Sequence, residues 1–86
     1  MDYIISYDIA DEKRVAKVGR YMAKRAFRIQ KSVFIYYEAT KEEIEELLKG
    51  LLKICDEKKD DIRVYKIKDY GVHLADAVNL KDPFII

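Results

Sequence analysis

The chain predicts an α+β fold built as one βαββαβ unit, and three observations predict it. Apolar, β-rich runs alternate with two amphipathic helical patterns. Each helical pattern starts at a capping residue. At 86 residues the chain has length for one domain.

Tyr3 to Asp8 predicts the first strand, with apolar residues at consecutive positions as in a central strand covered on both faces. The strand ends on a carboxylate, Asp8. Asp11 then offers an N-cap, and residues 12–25 carry an apolar stripe of Val15, Val18 and Met22 at helical spacing. Residues 27–38 are β-branched and aromatic with no helical period. They predict two strands folded sharply near Gln30–Ser32, or one long bent strand. Thr40 and Glu43 form a capping box for a second helix that buries Ile44, Leu47, Leu48, Leu51 and Cys55. Ile62 to Ile67 predicts a further strand, and Asp69–Gly71 a turn. Residues 72–86 have mixed character, interrupted by Pro83. This order is that of a ferredoxin-like fold, an antiparallel sheet with two helices on one face. The opposite face is left open, and a second copy of so small a chain would cover it.

Charge is polarised along the chain although the net value is only +1. From Lys13 to Lys31 there are eight Lys or Arg and no acid. The acids gather further on, from Glu38 to Asp61. A basic segment of this kind gives sequence-independent affinity for phosphates. Lys13, Arg14, Lys17, Arg20 and Lys24, all on the first helix, are therefore candidate nucleic-acid contacts. A solvated helix face is the plain alternative.

Cys55 is alone, which excludes an intrachain disulfide and a thiolate metal cluster. No secretory leader is apparent, and no apolar run approaches the ~20 residues of a membrane helix. The expected location is the cytoplasm, with no membrane partner. His73 is the only histidine, so a Ser/His/Asp constellation is not expected. Glycine-rich phosphate loops and paired-cysteine zinc motifs are absent from the sequence.

Asp8 is the candidate for chemistry. A carboxylate is a hard ligand for Mg²⁺ or Mn²⁺, and two of them hold a metal that activates water and screens a phosphate. The sequence offers no obvious second acid at helical or strand spacing from Asp8. A two-fold dimer would supply Asp8 of the other subunit. The structural alternative is an Asx turn closing the strand. Arg14 lies one turn beyond Asp11, where it could face the same cleft. If residues 28–34 run straight, alternation sends Arg28, Gln30, Ser32 and Phe34 to one side.

Tyr7-Asp8-Ile9 with Asp11 and Arg14, Arg28-x-Gln30-x-Ser32-Val33-Phe34, and Asp61-x-Arg63-x-Tyr65 together resemble CRISPR-associated protein two. This family is the smaller of the two universal CRISPR adaptation proteins. The resemblance spans about residues 1–67. The family often has Gly at the position of Ala26 and Glu at that of Ile35. The resemblance implies a ferredoxin-like homodimer with a core over 1–68, and a C-terminal strand and tail over 69–86 that cross to the partner's sheet. It implies that Asp8 binds the metal opposite its twin. It places Arg14, Arg28, Ser32 and Phe34 at the catalytic cleft. It further implies metal-dependent cleavage of RNA or double-stranded DNA, and bridging of the CRISPR integrase. Two other readings fit the same residues: a non-catalytic DNA-binding scaffold for the integrase, and a toxin-like ribonuclease.

Overall fold

The computed structural model describes residues 1–67 and, by their backbone, 68 and 71–77. The element order is β1 (Asp2–Asp8), α1 (Glu12–Ala23), β2 (Phe27–Gln30), β3 (Val33–Tyr36), α2 (Lys41–Ile54), β4 (Asp61–Lys68) and β5 (Gly71–Ala77). The strands form one antiparallel sheet in the order β2-β3-β1-β4-β5. The first four strands and the two helices make the ferredoxin-like arrangement.

Both predicted caps form. The Asp11 side chain accepts from the Arg14 N–H at 3.0 Å. Thr40 and Glu43 each satisfy the other's backbone N–H, at 3.1 and 3.0 Å. Helix α1 stops at Ala23, two residues short of the expected end. The Arg25 and Ala26 N–H groups both turn back to the Met22 carbonyl, at 2.9 and 2.8 Å. That closes the helix and aims the chain into β2.

The core lies between the sheet and the helices. Alternation along β1 sends Tyr3, Ile5 and Tyr7 inward. They meet Val18 and Met22 of α1, Leu47, Leu48 and Leu51 of α2, and Phe34, Ile62 and Val64 of the flanking strands. Strand β1 is central, as its sequence predicts, but only one of its faces is covered within a single chain. Ile4 and Ser6 are half-buried and Asp8 is exposed on the other. Cross-strand register puts Ile35, Val33 and Tyr65 on that same open face, opposite Ile4 and Ser6 or their neighbours. The apolar run of β1 therefore marks a strand with one face left for a partner.

Residues 27–36 are a hairpin turning at Lys31–Ser32. The register shifts between Arg28 and Gln30. Arg28 is paired with Phe34 and Gln30 with Val33, so the straight alternation that would group Arg28, Gln30, Ser32 and Phe34 does not occur. A β-bulge moves one residue out of step and reverses the faces beyond it.

The resemblance implies a C-terminal strand crossing to a partner. In the single chain Gly71–Ala77 pairs antiparallel with β4 of its own sheet. Only two residues separate these strands, and antiparallel strands joined so closely pair with each other. Of the expected Asp69–Gly71 turn, Gly71 opens β5, while residues 69–70 and the tail 78–86 lie outside the described residues.

Candidate active site and basic groove

Asp8 ends β1 on the open sheet face and is exposed. Directly opposite, in register on β4, stands Asp61. Residues facing each other across an antiparallel pair have Cβ atoms about 4.5–5.5 Å apart, so the two carboxylates share one corner of the sheet. This second acid escaped the sequence reading. It is 53 positions from Asp8 in the chain and is brought there only by strand register. Asp61 also accepts from Arg63 Nε at 3.0 Å, in an exposed pair. Among the described residues of one chain, no group of three or more His, Cys, Asp or Glu is placed to hold a metal. The Asp8–Asp61 corner offers hard oxygen donors of the kind that suits Mg²⁺ or Mn²⁺.

Arg14 is bound to Asp60. Its Nε donates to Asp60 Oδ2 at 2.9 Å and its Nη2 to Oδ1 at 3.2 Å. The Asp60 side chain is fully buried, while a quarter of Arg14 remains exposed. Asp60 also accepts from the Ala10 N–H at 3.0 Å and the Asp56 N–H at 2.7 Å. One carboxylate thus ties the turn after Asp8 to the start of α1 and to the loop before β4. Burial pushes the Asp60 carboxyl up. The bonds from Arg14, Asp56 and Ala10 outweigh that and hold it below its ordinary value.

Cys55 sits half-buried at the end of α2. Burial, helped by Asp60 and opposed by Arg14, pushes its thiol up to about 11. It is protonated at neutral pH and is no nucleophile.

Arg28 and Phe34 lie on the helix-packed face of the sheet, away from Asp8. Phe34 is completely buried. The Arg28 guanidinium stands 5.0 Å over its ring, and Tyr7 stacks against it at 6.2 Å between centroids. Ser32 is in the hairpin turn, where its carbonyl accepts from the Tyr7 N–H at 3.1 Å. Within one chain, the expected site residues therefore divide into four groups. Asp8 is exposed, Arg14 is clamped to Asp60, Arg28 with Phe34 borders α1, and Ser32 sits in the β2–β3 turn. Lys13, Lys17, Arg20 and Lys24 are exposed along α1. No helix among the described residues is long and apolar enough to cross a membrane.

Comparison with known proteins agrees with this geometry. The family described as CRISPR associated protein Cas2 matches residues 1–73. A CRISPR-associated endoribonuclease Cas2 of Nitrosomonas europaea is 38% identical over 71 residues, covering 83% of this chain and 67% of its own. Another, of Thermodesulfovibrio yellowstonii, is 39% identical over 67 residues, covering 78% and 72%. The crystal structure of Streptococcus pyogenes Cas2 at pH 6.5 superposes with a TM-score of 0.71 at 32% identity, covering 79% of this chain and 87% of that one. A hypothetical protein of Thermus thermophilus superposes with a TM-score of 0.76 at 26% identity, covering 88% and 92%. With its ferredoxin-like sheet, its strand-end aspartate and a family match over most of its length, this chain belongs to the CRISPR-associated Cas2 family.

Proposed function

We propose that this protein is a metal-dependent endonuclease of CRISPR adaptation, acting on RNA or double-stranded DNA as a homodimer. The observation that carries the reading is the exposed Asp8 at the end of β1, opposite Asp61 and on a sheet face that no helix covers. Ile4, Val33, Ile35 and Tyr65 make the middle of that face apolar enough to seat a second copy. A two-fold axis there brings two Asp8–Asp61 corners together and doubles the carboxylates available to Mg²⁺ or Mn²⁺. A bound ion would lower the pKa of a water and screen phosphate charge. The protein's own part is to fix the carboxylates: Asp60 holds the Ala10 turn, and β1–β4 pairing holds Asp8 against Asp61. The names of the relatives, CRISPR-associated endoribonucleases, support the nuclease assignment.

The exposed basic side of α1 supports a second role in the same molecule. Lys13, Lys17, Arg20 and Lys24 would hold a duplex by its backbone while the dimer bridges CRISPR integrase subunits.

Asp8→Asn, assayed for both cleavage and spacer integration, tests the reading. Cleavage is expected to fall at least 100-fold, and to stop in the wild type when EDTA removes Mg²⁺. Wild-type cleavage by the variant, or activity persisting in chelator, overturns the metal-dependent mechanism. Integration surviving in the variant assigns adaptation to the scaffold role.

A further inference from the structure

The acid corner carries a cation beside its two carboxylates. Strand β4 pairs with β1 without a slip, which sets Asp61 opposite Asp8, Arg63 opposite Ser6 and Tyr65 opposite Ile4. Residues two apart on a strand share a face, so the Asp61-x-Arg63-x-Tyr65 string lies along the Asp8 side of the sheet. Arg63 starts about 7 Å along the strand from Asp61. Its Nε donates to Asp61 Oδ2 at 3.0 Å, and the two side chains are 48% and 51% exposed. Among the described side chains that β1, β3 and β4 present on this face, Arg63 is the cation. Arg14 and Arg28 lack its freedom. Arg14 is fixed on the buried Asp60 by two bonds, and Arg28 stands over the Phe34 ring on the other face. Arg63 is held by a single bond in water, the weakest kind of ion pair. The acid that holds it is one of the two that would take a divalent cation.

We propose that Arg63 is the residue that binds the scissile phosphodiester, held in reserve by Asp61 and released when Asp61 takes a divalent cation. This role rests on the metal-dependent nuclease reading above and deepens it. Two carboxylates without a cation repel a phosphate, so the corner needs a positive group of its own. Asp61 cannot hold a divalent ion and keep its full attraction for Arg63, because two cations on one acid repel each other. The exchange costs little, since the pair it breaks is exposed. Exposure and the short Ser6 side chain opposite leave the guanidinium room to turn. Freed, it donates N–H bonds to the non-bridging oxygens, where negative charge builds as the phosphorus is attacked. It gives up no proton and forms no covalent bond. Asp61 thereby couples the two events: the phosphate gains its arginine only at a corner that has gained its ion.

The test joins three measurements on the full chain: Mn²⁺ binding by calorimetry, binding of labelled single-stranded RNA and duplex DNA in EDTA by anisotropy, and cleavage of both at saturating substrate and Mg²⁺. Arg63→Gln is expected to bind Mn²⁺ about three- to tenfold more tightly, because Asp61 is freed, and yet to cleave at least tenfold more slowly. Metal affinity and kcat moving in opposite directions is not what a merely structural ion pair produces. In EDTA, Asp61→Asn is expected to tighten nucleic-acid binding about three- to tenfold by releasing Arg63. The double variant is expected to show no such gain over Arg63→Gln alone. Melting temperatures are expected to stay near that of the wild type, because the pair is exposed. Wild-type kcat in Arg63→Gln, weaker Mn²⁺ binding by it, or an equal gain from Asp61→Asn with and without Arg63 overturns the role of Arg63 and leaves the metal-dependent nuclease standing. A wild type that binds no Mn²⁺, cleaves neither nucleic acid, or cleaves in EDTA overturns the nuclease reading and the role of Arg63 with it.

Discussion

Arg14 grips both carboxylate oxygens of Asp60, at 2.9 and 3.2 Å, and Asp60 in turn holds the Ala10 backbone two residues beyond Asp8. Through this clamp the Arg14 guanidinium fixes the backbone just beyond Asp8. A bidentate, charge-assisted pair on a fully buried acid is the strong form of such a contact. Asp60→Asn keeps the shape but loses the charge. It is expected to cost about 2–3 kcal/mol of stability in a denaturant titration. Arg14→Lys cannot reproduce the two-pronged fork and is expected to lower the melting temperature and cleavage together. An Arg14→Lys chain of normal stability with weakened nucleic-acid binding would show that Arg14 touches phosphate directly.

The same clamp sets an acid limit. The folded pKa of Asp60 lies below its unfolded value. Its stabilising contribution is therefore complete above the unfolded value of about 3.9. It is lost as pH falls through the lower folded value, because protonation then costs the paired carboxylate. Urea midpoints measured from pH 7 down to pH 2.5 are expected to separate wild type from Asp60→Asn at neutral pH and to converge in acid. Parallel curves across the whole range would mean that the Asp60 charge contributes nothing.

Elements whose signal is local were legible in the sequence. Asp11 and Thr40 announce the two helices because a cap needs only residues three positions away. The inward stripe of α2 follows from helical period alone. What was hidden depends on register or on burial at long range. Asp8 meets Asp61 only because β1 and β4 pair without a slip. Arg28 meets Phe34 because a bulge shifts the hairpin by one residue, and no composition rule marks where a bulge falls. Asp60 looked like one more acid in a charged loop, and its burial follows from three donors supplied by two other parts of the chain and its own loop. The partner of Arg14 was hidden for the same reason: its spacing from Asp11 is visible in sequence, but Asp60, 46 residues away, is not.

Helix packing depends on a glycine. The Tyr21 hydroxyl of α1 donates to the Leu47 carbonyl of α2 at 2.8 Å, and Arg25 stacks on the Tyr21 ring at 3.8 Å. A Cβ on Gly50 would overlap that ring and hydroxyl. Gly→Ala inside a helix ordinarily stabilises by about 0.5–1 kcal/mol. Here Gly50→Ala is expected to destabilise by about 1–3 kcal/mol through overpacking, and Tyr21→Phe by about 1 kcal/mol. The double variant is expected to cost less than their sum, because the bond to Leu47 can be lost only once. A stabilised Gly50→Ala would mean that Tyr21 has room to move aside.

The open sheet face decides whether Asp8 works alone. Ile4 is half-buried there, in register with Ile35 on β3 and Tyr65 on β4. Its neighbours in sequence, Tyr3 and Ile5, face the helices, so a charge at position 4 leaves the core untouched. Ile4→Glu is expected to keep the fold, by circular dichroism, while raising the dimer dissociation constant at least tenfold in light-scattering chromatography. Like charges brought together at a two-fold interface repel, and the buried apolar contact is lost as well. Cleavage is expected to fall in step with the dimer fraction and to recover at high protein concentration, since each metal site would draw carboxylates from both chains. A monomeric Ile4→Glu protein cleaving at the wild-type rate would place the whole reaction within one chain, at the Asp8–Asp61 corner.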